Sequence, residues 1–351
     1  MSETKFYETI VVGGGPAGCG LASQLLAQGK DLLLVDQKDD QGQPAKLCAG
    51  LLTVRAQKLL AKLGWSLPKE VLVSPQIFSV NTLDVETGIR KNYYRHYLNL
   101  DRSRFDQWLL SLIDRQHRTQ GRVTEIEKEE ERYLVTIRSK EGKQTLACRY
   151  LVGADGAFSL VRRQLFPGKE LPTLVALQEE AKSLAKKPFY ACYYDPITAP
   201  SCSWSLTKDE RLIYGGVFMK EDCRKNFLKQ KDRLKVELPQ QEVKELQACL
   251  VIKPKRFRDF FLGNASVFLI GEAAGLISAS SFEGISYALQ SGLLLAQSYQ
   301  KSDIRKAYRR ASFKMRWLLW GKVLKARILD SPRLRKWLMQ SGIGSFTPKG
   351  S

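Results

Sequence analysis

The chain has 351 residues, of which 44% are hydrophobic and 26% are charged. This composition argues against a largely disordered chain and supports one large domain or two closely joined ones. Lysine and arginine number 56 against 36 aspartate and glutamate residues, and the resulting net charge of +20 favours an acidic partner such as anionic lipid, nucleic acid or a phosphorylated substrate.

No apolar run approaches the roughly 20 residues that a membrane-spanning helix needs, and the first residues show no apolar signal core. Seven scattered cysteines and two histidines argue against a disulfide framework or a zinc site. We therefore expect a cytoplasmic protein with free thiols and no bound metal.

The first predicted element is a buried parallel strand at residues 6–12, followed by a glycine-rich turn, a helix and a second strand. Gly13, Gly15 and Gly18 have the G-x-G-x-x-G spacing, which permits a tight turn, close approach of a pyrophosphate and packing of the helix on the strand. The second strand ends at Asp36, where a carboxylate can bind a ribose diol. This arrangement predicts an ADP-containing dinucleotide, and at this point FAD and NAD both remain open.

Two further segments carry residues that can meet the dinucleotide. Residues 37–50 form a polar loop on the cofactor side of the sheet, in which Lys46, Cys48 and Gly50 are the informative residues. On composition alone, neither residue needs a ligand, because Lys46 can be a solvated surface charge and Cys48 can be a small buried residue. Arg102 begins a predicted helix, where its guanidinium can meet a phosphate or serve as a surface charge.

Two more passages join a buried strand to a turn with glycine and an acidic residue. A predicted β meander over residues 120–150 is followed by a separate buried strand and a turn that contains Asp155, which can orient backbone amides or water against a pyrophosphate. A later strand ends at Gly271 and Glu272 and precedes a helix that runs to about Tyr299. Glu272 can bind hydroxyls of a sugar-like chain, although a structural role explains this residue equally well.

Residues 171–254 contain strand-like runs without long helices between them, which predicts an antiparallel sheet. Such a sheet beside a dinucleotide fold can serve as a substrate platform. Several of its aromatic residues can line an apolar pocket or pack in the core: Tyr190, Tyr193, Tyr194, Trp204, Tyr214 and Phe218.

Residues 301–340 contain 13 lysines and arginines and two aspartates, a net charge of +11. Apolar side chains recur there at helical spacing, at Phe313, Trp317, Trp320, Leu324 and Ile328. One interpretation is a set of helices packed on the body with a solvated basic face. The other is peripheral contact with an anionic membrane at its inner face, since tryptophan together with lysine and arginine is typical of that interface. We expect no nucleic acid, because no reading motif accompanies the charge.

Taken together, the three glycine-containing turns resemble the FAD-binding layout of single-Rossmann flavoprotein monooxygenases and reductases. No second G-x-G-x-x-G exists for a separate NAD(P)H domain, so FAD is the predicted cofactor. Within that group the chain looks most like the geranylgeranyl reductase family, on the motifs Lys46-x-Cys48-x-Gly50, Arg102-x-x-Phe105-Asp106, the Trp204 strand and Gly271-Glu-Ala-Ala-Gly275 with Glu283-Gly284-Ile285.

The resemblance implies a set of cofactor-binding residues: Gly13, Gly15, Ala17, Gly18, Asp36, Lys46, Cys48, Gly50, Arg102, Asp155, Gly271, Glu272, Gly275 and Gly284. Cys48 and Trp204 are the active-site candidates, and no catalytic residue is assigned. The chain departs from the family at two carboxylates, because the family usually has aspartate at the position of Glu272 and often glutamate at that of Asp36. Each exchange keeps the charge and changes the reach of the side chain by one methylene.

The implied fold is α/β, or α+β overall, with three regions. A discontinuous Rossmann-type FAD-binding domain takes residues 1–70, 95–170 and 255–300, an antiparallel-sheet substrate domain takes 71–94 and 171–254, and a basic helical region takes 301–351. The implied activity is reduction of C=C bonds in an apolar substrate, such as an isoprenoid or other lipid, with electrons from NAD(P)H or a reduced carrier. The alternatives are a monooxygenase that acts on an aromatic or polyketide-like compound, and a non-enzymatic flavin-binding redox or interaction protein at a membrane surface.

Overall fold

The computed structural model describes residues 4–38 and 46–348, so residues 39–45 of the predicted polar loop lie outside the described residues. Its strands in chain order are β1 Phe6–Val12, β2 Leu32–Asp36, β3 Leu51–Leu52, β4 Ile77–Asp84, β5 Arg90–Asn99, β6 Arg118–Gln120, β7 Arg122–Glu129, β8 Arg132–Ser139, β9 Gly142–Gly153, β10 Thr173–Ser183, β11 Tyr190–Tyr194, β12 Cys202–Lys208, β13 Arg211–Phe218, β14 Gln240–Ile252, β15 Gly263–Asn264, β16 Val267–Leu269 and β17 Ser345–Phe346. Its α-helices are α1 Pro16–Ala27, α2 Val54–Lys62, α3 Arg102–Ser111, α4 Leu160–Leu165, α5 Cys223–Arg233, α6 Ile285–Ser298, α7 Ile304–Ala311, α8 Phe313–Asp330 and α9 Pro332–Ser341.

The first sheet has a parallel centre in the order β16-β9-β1-β2-β6. Residues 32–35 of β2 are all buried, as expected for a parallel strand that is covered on both faces. One apolar cluster lies between the sheet and helices α1, α3 and α6, and a second cluster on the other face includes residues of α8. The predicted Rossmann-type α/β fold is confirmed.

One boundary in this sheet was predicted wrongly. The meander over residues 120–150 and the strand after it are not separate, because β9 runs without a break from Gly142 to Gly153. Its first half pairs antiparallel with β8, and its second half pairs parallel with β1. A single long strand therefore serves both as the last strand of the meander and as a central strand of the parallel sheet.

The second sheet has the order β14-β10-β13-β12-β11-β4-β5-β17, with β3 beside β5. It is antiparallel as predicted except at one place, where β4 and β11 pair in parallel. These two strands lie about a hundred residues apart in the chain, so no short hairpin forces them to run in opposite directions. The last strand, β17, comes from the C-terminal region and pairs with β5.

The C-terminal region forms helices α7, α8 and α9, as the predicted helical tail requires. The apolar stripe predicted on α8 is not its packing face. Met315, Leu319, Val323 and Ala326 are buried against the first sheet instead. Phe313 and Trp317 of the predicted stripe are more than half exposed. Helix α8 thus packs through a second apolar row, which was overlooked because the predicted stripe also has helical spacing.

Candidate functional site

A cavity of about 1060 Å³ extends from the turn after β1 to the face of the second sheet. Eleven of the predicted site residues line this cavity: Gly13, Gly15, Ala17, Asp36, Lys46, Cys48, Arg102, Asp155, Trp204, Glu272 and Gly284. The other four, Gly18, Gly50, Gly271 and Gly275, do not line it. Residues that are far apart in the chain are therefore assembled around one space, and the remaining glycines lie behind its walls.

The glycine turn leaves open space on the cavity side. Gly15 has φ −82°, which any residue can adopt, and a Cβ built there meets no atom within 4 Å. Gly13 has φ +109°, and a Cβ there would lie 2.5 Å from the carbonyl oxygen of Ala154. A Cβ on Gly18 would overlap the carbonyl oxygen of Gly13. Gly13 and Gly18 thus shape the turn, while Gly15 leaves room for a group that approaches the backbone.

Asp36 lies at the end of β2 beside this turn. Its carboxylate accepts a hydrogen bond from the backbone N–H of Gly14 and another from the backbone N–H of Lys38, at 2.7 Å. The Lys38 ammonium also contacts it, with Nζ 3.1 Å from Oδ1. The carboxylate is therefore held in place by three donors at the edge of the cavity, and a ribose hydroxyl bound there would share it with Lys38.

Asp155 presents an unused acceptor at the same turn. Its Oδ2 accepts hydrogen bonds from the backbone N–H groups of Leu160, at 2.6 Å, and Val161, at 3.2 Å, which anchors it to the start of α4. Its Oδ1 is buried and has no hydrogen-bond partner among the described residues. Burial raises the pKa of this carboxyl, against the lowering effect of its hydrogen bonds. A buried acceptor without a partner is costly unless a ligand or water satisfies it, so this group fits a bound dinucleotide.

The lining of the cavity includes an ion pair that the sequence did not indicate. Lys46 donates to Glu272, whose other oxygen accepts the backbone N–H of Ile252 at 3.1 Å. Burial lowers the pKa of Lys46 and the neighbouring Glu272 carboxylate raises it, with a net upward shift. Lys46 thus stays charged, and the pair is available to the hydroxyls or phosphates of a ligand. The two residues are 226 positions apart, and no local signal connects them.

A second ion pair lies beside Cys48. The Nε of Arg102 is 2.8 Å from Oδ1 of Asp106, one helical turn further along α3, and both side chains are almost fully buried. Burial lowers the pKa of Arg102, while Asp106 and the Cys48 thiol raise it, and the net shift is upward. The guanidinium is therefore a permanent cation on the cavity wall, positioned by Asp106.

Lys208 is a structural residue of the site that sequence reasoning missed. Its ammonium donates to the carbonyl oxygen of Leu100 at 2.6 Å, and burial lowers its pKa to about 8. Gly50, with φ +66°, lies against the same two groups, and a Cβ there would collide with the Leu100 carbonyl. Gly50 therefore supports the Cys48 segment from behind and does not face the cavity.

The second half of the cavity is apolar and aromatic. Its lining on the second sheet and nearby segments includes Val80, Tyr97, Ala176, Tyr190, Tyr194, Trp204, Val217 and Phe282. The indole of Trp204 lies across Gly215 of the neighbouring strand, where any side chain would collide with it, and its Nε1 is buried without a partner among the described residues. Apart from Arg95, Lys322 and Lys325, cations that also line the cavity, this half therefore suits an apolar ligand.

Strand alternation divides the predicted aromatic residues between the two faces of the second sheet. Tyr190, Tyr194 and Trp204 line the cavity, whereas Tyr193, Tyr214 and Phe218 are buried in a core on the opposite face. Besides Cys48, three thiols line the cavity, and burial raises the pKa of each of them: Cys192, Cys202 and Cys249. These thiols are thus neutral and contribute to the apolar lining.

Two absences complete the description of residues 4–38 and 46–348. They contain no group of three or more histidine, cysteine, aspartate or glutamate side chains arranged to hold a metal ion. Within the same ranges, no helix combines the length and the apolar character needed to cross a bilayer.

The fold and this cavity define a single-Rossmann flavoprotein, and comparison with known proteins supports this class. Residues 7–175 match the family described as FAD binding domain, so FAD is the cofactor. The chain belongs to the family of protein CbrA. It is 39% identical to "Protein CbrA" of Escherichia coli O6:H1 over 346 residues, which cover 97% of this chain and 94% of that protein. It is 38% identical to "Protein CbrA" of Shigella sonnei, with 97% and 98% covered.

Solved structures share the fold at lower identity. A geranylgeranyl bacteriochlorophyll reductase-like protein from Thermoplasma acidophilum superposes with a TM-score of 0.80 at 17% identity, covering 95% of this chain and 91% of that one. The p-nitrophenol 4-monooxygenase PnpA from Pseudomonas putida gives 0.75 at 15% identity, covering 96% and 93%. The chain thus has an FAD-binding domain and shares its overall fold with a reductase-like protein and a monooxygenase.

Proposed function

We propose that this protein is an FAD-dependent reductase of C=C bonds in an apolar, lipid-like substrate, with an isoprenoid chain as the leading candidate. The observation that carries the proposal is the continuity of the cavity. One space joins the glycine turn, Asp155 and Arg102 to an apolar half that is lined by Tyr97, Tyr190 and Trp204. A substrate in the apolar half therefore shares one cavity with the residues that bind the cofactor.

Bound FAD supplies hydride transfer to a carbon–carbon double bond. The chain's own residues would bind and orient it: Gly15 gives access to the backbone, Asp36 and Asp155 offer acceptors, and Arg102 offers a fixed cation. The Lys46–Glu272 pair stands between the two halves, where it can order the polar part of the cofactor. The apolar wall excludes water and holds a long chain by dispersion and the hydrophobic effect.

The proton that completes the reduction has several candidate sources in the cavity. Burial raises the pKa of Tyr190 far above its ordinary value and also raises that of Tyr97, so both hydroxyls keep their protons at neutral pH. Cys48 lies on the cavity wall beside Arg102. Water entering from the rim is the third source. Variants that remove the thiol of Cys48 or the hydroxyl of Tyr97 or Tyr190 distinguish these sources.

Two observations support a lipid-like substrate. The apolar half of the cavity is large and contains neutral thiols and aromatic faces, which suit a chain without charge. The fold is also shared with the geranylgeranyl bacteriochlorophyll reductase-like protein from Thermoplasma acidophilum. NAD(P)H or a reduced carrier is the proposed electron donor.

A monooxygenase is the second candidate, since the aromatic lining also suits an aromatic compound and the fold is shared with p-nitrophenol 4-monooxygenase. The third candidate is a flavin-binding redox or interaction protein without turnover. Fold likeness does not separate these functions, and the reaction of the reduced protein does.

The test starts from FAD-loaded protein reduced anaerobically with dithionite. It is mixed without oxygen with buffer, with geranylgeraniol or with a bacterial lipid extract, and the return of the oxidised flavin band is followed. We expect lipid to accelerate reoxidation at least tenfold and a lipid product heavier by two hydrogens. A parallel sample is mixed with air-saturated buffer and the same compounds, and fast reoxidation by O2 with a hydroxylated product there would replace the proposal by the monooxygenase. Slow reoxidation by every partner would favour the protein without turnover.

A matched pair of variants ties this reaction to the cavity. Ala176 lines the apolar half, and Ala176→Phe narrows it without replacing any of the predicted cofactor-binding residues. Ala61 is an exposed alanine of α2, and Ala61→Phe is the control. We expect Ala176→Phe to retain FAD and lose the acceleration by lipid, with the control unchanged. Equal acceleration in both variants would contradict a substrate in the apolar half.

A further inference from the structure

Helix α8 exposes an apolar row to solvent. Phe313 is 55% exposed, Trp317 52%, Leu324 43% and Ile328 41%. At 100° per residue these four side chains fall within about 60° of one another on the helix. They point away from the buried row of Met315, Leu319, Val323 and Ala326. We call these four exposed residues the α8 stripe.

Cations border the α8 stripe on both sides. Arg316 and Arg327 flank it on one side, and Lys314 and Lys325 flank it on the other. Among the described residues, none of these four side chains forms an ion pair with a carboxylate within 4 Å. An apolar stripe with tryptophan between two cationic margins is the arrangement of helices that lie in the interface of an anionic bilayer.

Further apolar side chains are exposed beyond α8. Leu334 and Trp337 of α9 are 49% and 65% exposed, and Ile343, just after it, is 67% exposed. A patch of this kind on a soluble domain marks an interaction surface. Residues 301–340 carry a charge of +11, so a second copy of the same surface would be repelled, and a negatively charged partner is favoured.

We propose that the α8 stripe and its cationic margins dock this protein on an anionic membrane surface, with a lipid phosphate in an arginine pocket at the α7–α8 corner. This goes beyond the proposed reaction and does not depend on it. The membrane contact is peripheral, with the stripe in the interface and the body outside the bilayer.

The arginine pocket is a separate cavity of about 260 Å³. Arg305 and Arg309 of α7 and Arg316 of α8 line it above an aromatic floor that includes Phe260, Phe261, Phe268 and Tyr308. No carboxylate among the described residues lies within 4 Å of these guanidinium groups, and the buried Nε of Arg316 has no hydrogen-bond partner there. Three arginines without an acidic partner favour a phosphate.

The pocket adjoins the N-terminal end of the α8 stripe. The Arg316 guanidinium lies 5.5 Å from the centre of the Phe257 ring, and that ring lies 5.4 Å from the ring of Trp317. A phospholipid whose phosphate enters the pocket therefore has its acyl chains beside Trp317 and Phe313. The order of cation, aromatic ring and exposed apolar residue matches the order of phosphate, interface and acyl chain across a leaflet.

Helix α8 also connects this surface with the cavity. Lys322, Lys325 and Leu329 of the same helix line the large cavity, together with Arg95 of β5. Lys325 borders the α8 stripe as well, so a membrane that contacts the stripe lies close to the wall of this cavity. This placement gives an apolar ligand a short path out of the bilayer.

The test is cosedimentation of the full chain with vesicles of phosphatidylcholine alone or with added phosphatidylglycerol. We expect binding only to the anionic vesicles and weakening by salt. The stripe variant Phe313→Ser/Leu324→Ser/Ile328→Ser should lower the partition coefficient at least tenfold. Its control, Phe78→Ser/Leu184→Ser/Val236→Ser, removes three exposed apolar side chains elsewhere and should leave it unchanged.

The pocket is tested with Arg305→Gln/Arg309→Gln/Arg316→Gln. The control Arg224→Gln/Lys225→Gln/Lys229→Gln removes the same three charges from the exposed face of α5. We expect at least a tenfold loss for the first and less than twofold for the second. Equal losses would show general charge attraction and overturn the pocket, and full binding by the stripe variant would overturn docking through α8. Concentration-dependent dimerisation abolished by the stripe variant, without vesicle binding, would assign the surface to a second copy.

Discussion

At the scale of single residues, Lys208 is the buried cation that fixes the wall behind Cys48. Its ammonium reaches the carbonyl oxygen of Leu100, and the backbone N–H of Leu100 in turn donates to the carbonyl oxygen of Gly50 at 2.9 Å. Only 6% of the residue is exposed. The charge is thus retained at an energetic cost, because burial disfavours the protonated form.

This cost predicts a pH dependence of stability. The pKa of Lys208 is lowered from 10.5 to about 8 by folding. Below pH 8 Lys208 is protonated in both the native and the unfolded state, so the full cost of burying its charge applies. As the pH rises above 8, the native state releases the proton while the unfolded state keeps it, so the free energy of unfolding increases. Relative to Lys208→Met, we expect the wild type to gain about 2–3 kcal/mol between pH 7 and pH 10.

Urea unfolding at several pH values measures this difference. Lys69→Met, at an exposed lysine, is the control and should show a difference from the wild type that is independent of pH. A flat difference for Lys208→Met as well would show that Lys208 keeps its proton across this range, and the argument from burial would fail.

At the scale of elements, helix α9 is held to the second sheet by one buried ion pair. The Nε of Arg335 lies 2.7 Å from Oδ2 of Asp84 at the end of β4, and the two side chains are 2% and 0% exposed. Arg335 also donates to the carbonyl oxygen of Leu329 at 2.8 Å. Asp84 keeps further hydrogen bonds to its own turn, from the N–H groups of Glu86 and Thr87.

Removal of one partner should therefore be costly. Arg335→Met leaves the Asp84 carboxylate buried without its cation, and we expect a loss of about 3 kcal/mol in the free energy of unfolding. Arg335→Met/Asp84→Asn should recover part of this loss, since the uncompensated charge is gone. Arg333→Met, at an exposed arginine of the same helix, is the control for helix propensity. A loss below 0.5 kcal/mol for Arg335→Met would contradict the anchoring role of the pair.

Elements governed by local signals were predictable from the sequence. The strand, glycine turn and helix at residues 6–28 follow from apolar runs and the positions of Gly13, Gly15 and Gly18, because their physical causes are all local. The parallel pairing of β4 with β11 was not predictable, since the two strands are distant in the chain and no turn links them. The orientation of α8 was left open by the sequence for a related reason. Two apolar rows share that helix, and only the tertiary contacts decide that Met315 and Leu319 pack inward.

The candidate site, too, was predictable only where its signals are local in the sequence. Asp36, Asp155 and Glu272 each lie at the end of a buried strand or just after it, and that position made them candidates for contact with a ligand. The partnership of Lys46 with Glu272 and the support of Gly50 by Lys208 depend on residues more than 150 positions apart, and a single sequence carries no signal of such contacts. The aromatic residues of the second sheet were predicted either to line a pocket or to pack in the core. The two-residue period of the strands decides between these roles, because it places Tyr190 and Tyr194 on the cavity face and Tyr193 on the opposite face.

At the scale of the whole molecule, the cavity joins segments that span most of the chain. Its lining comes from the turn after β1, the segment at residues 46–49, helix α3, the turn after β9, strand β14 and the region before α6. A ligand that contacts all of them contributes contacts across both sheets. FAD binding should thus stabilise the molecule as a unit, and the gain follows from the ratio of free ligand to dissociation constant.

Gly15 provides the variant that separates binding from folding. Its φ of −82° suits any residue, and no atom lies within 4 Å of a Cβ there, so Gly15→Trp should fold while its side chain fills the space beside the turn. In FAD at a hundredfold excess over Kd, the wild type should gain about 2.7 kcal/mol, or about 4 °C in Tm. Gly15→Trp should gain nothing and purify without colour. Gly321→Trp, at another open position, is the control and should respond like the wild type. A yellow Gly15→Trp protein with the full shift in Tm would show that the glycine turn is not part of the cofactor site.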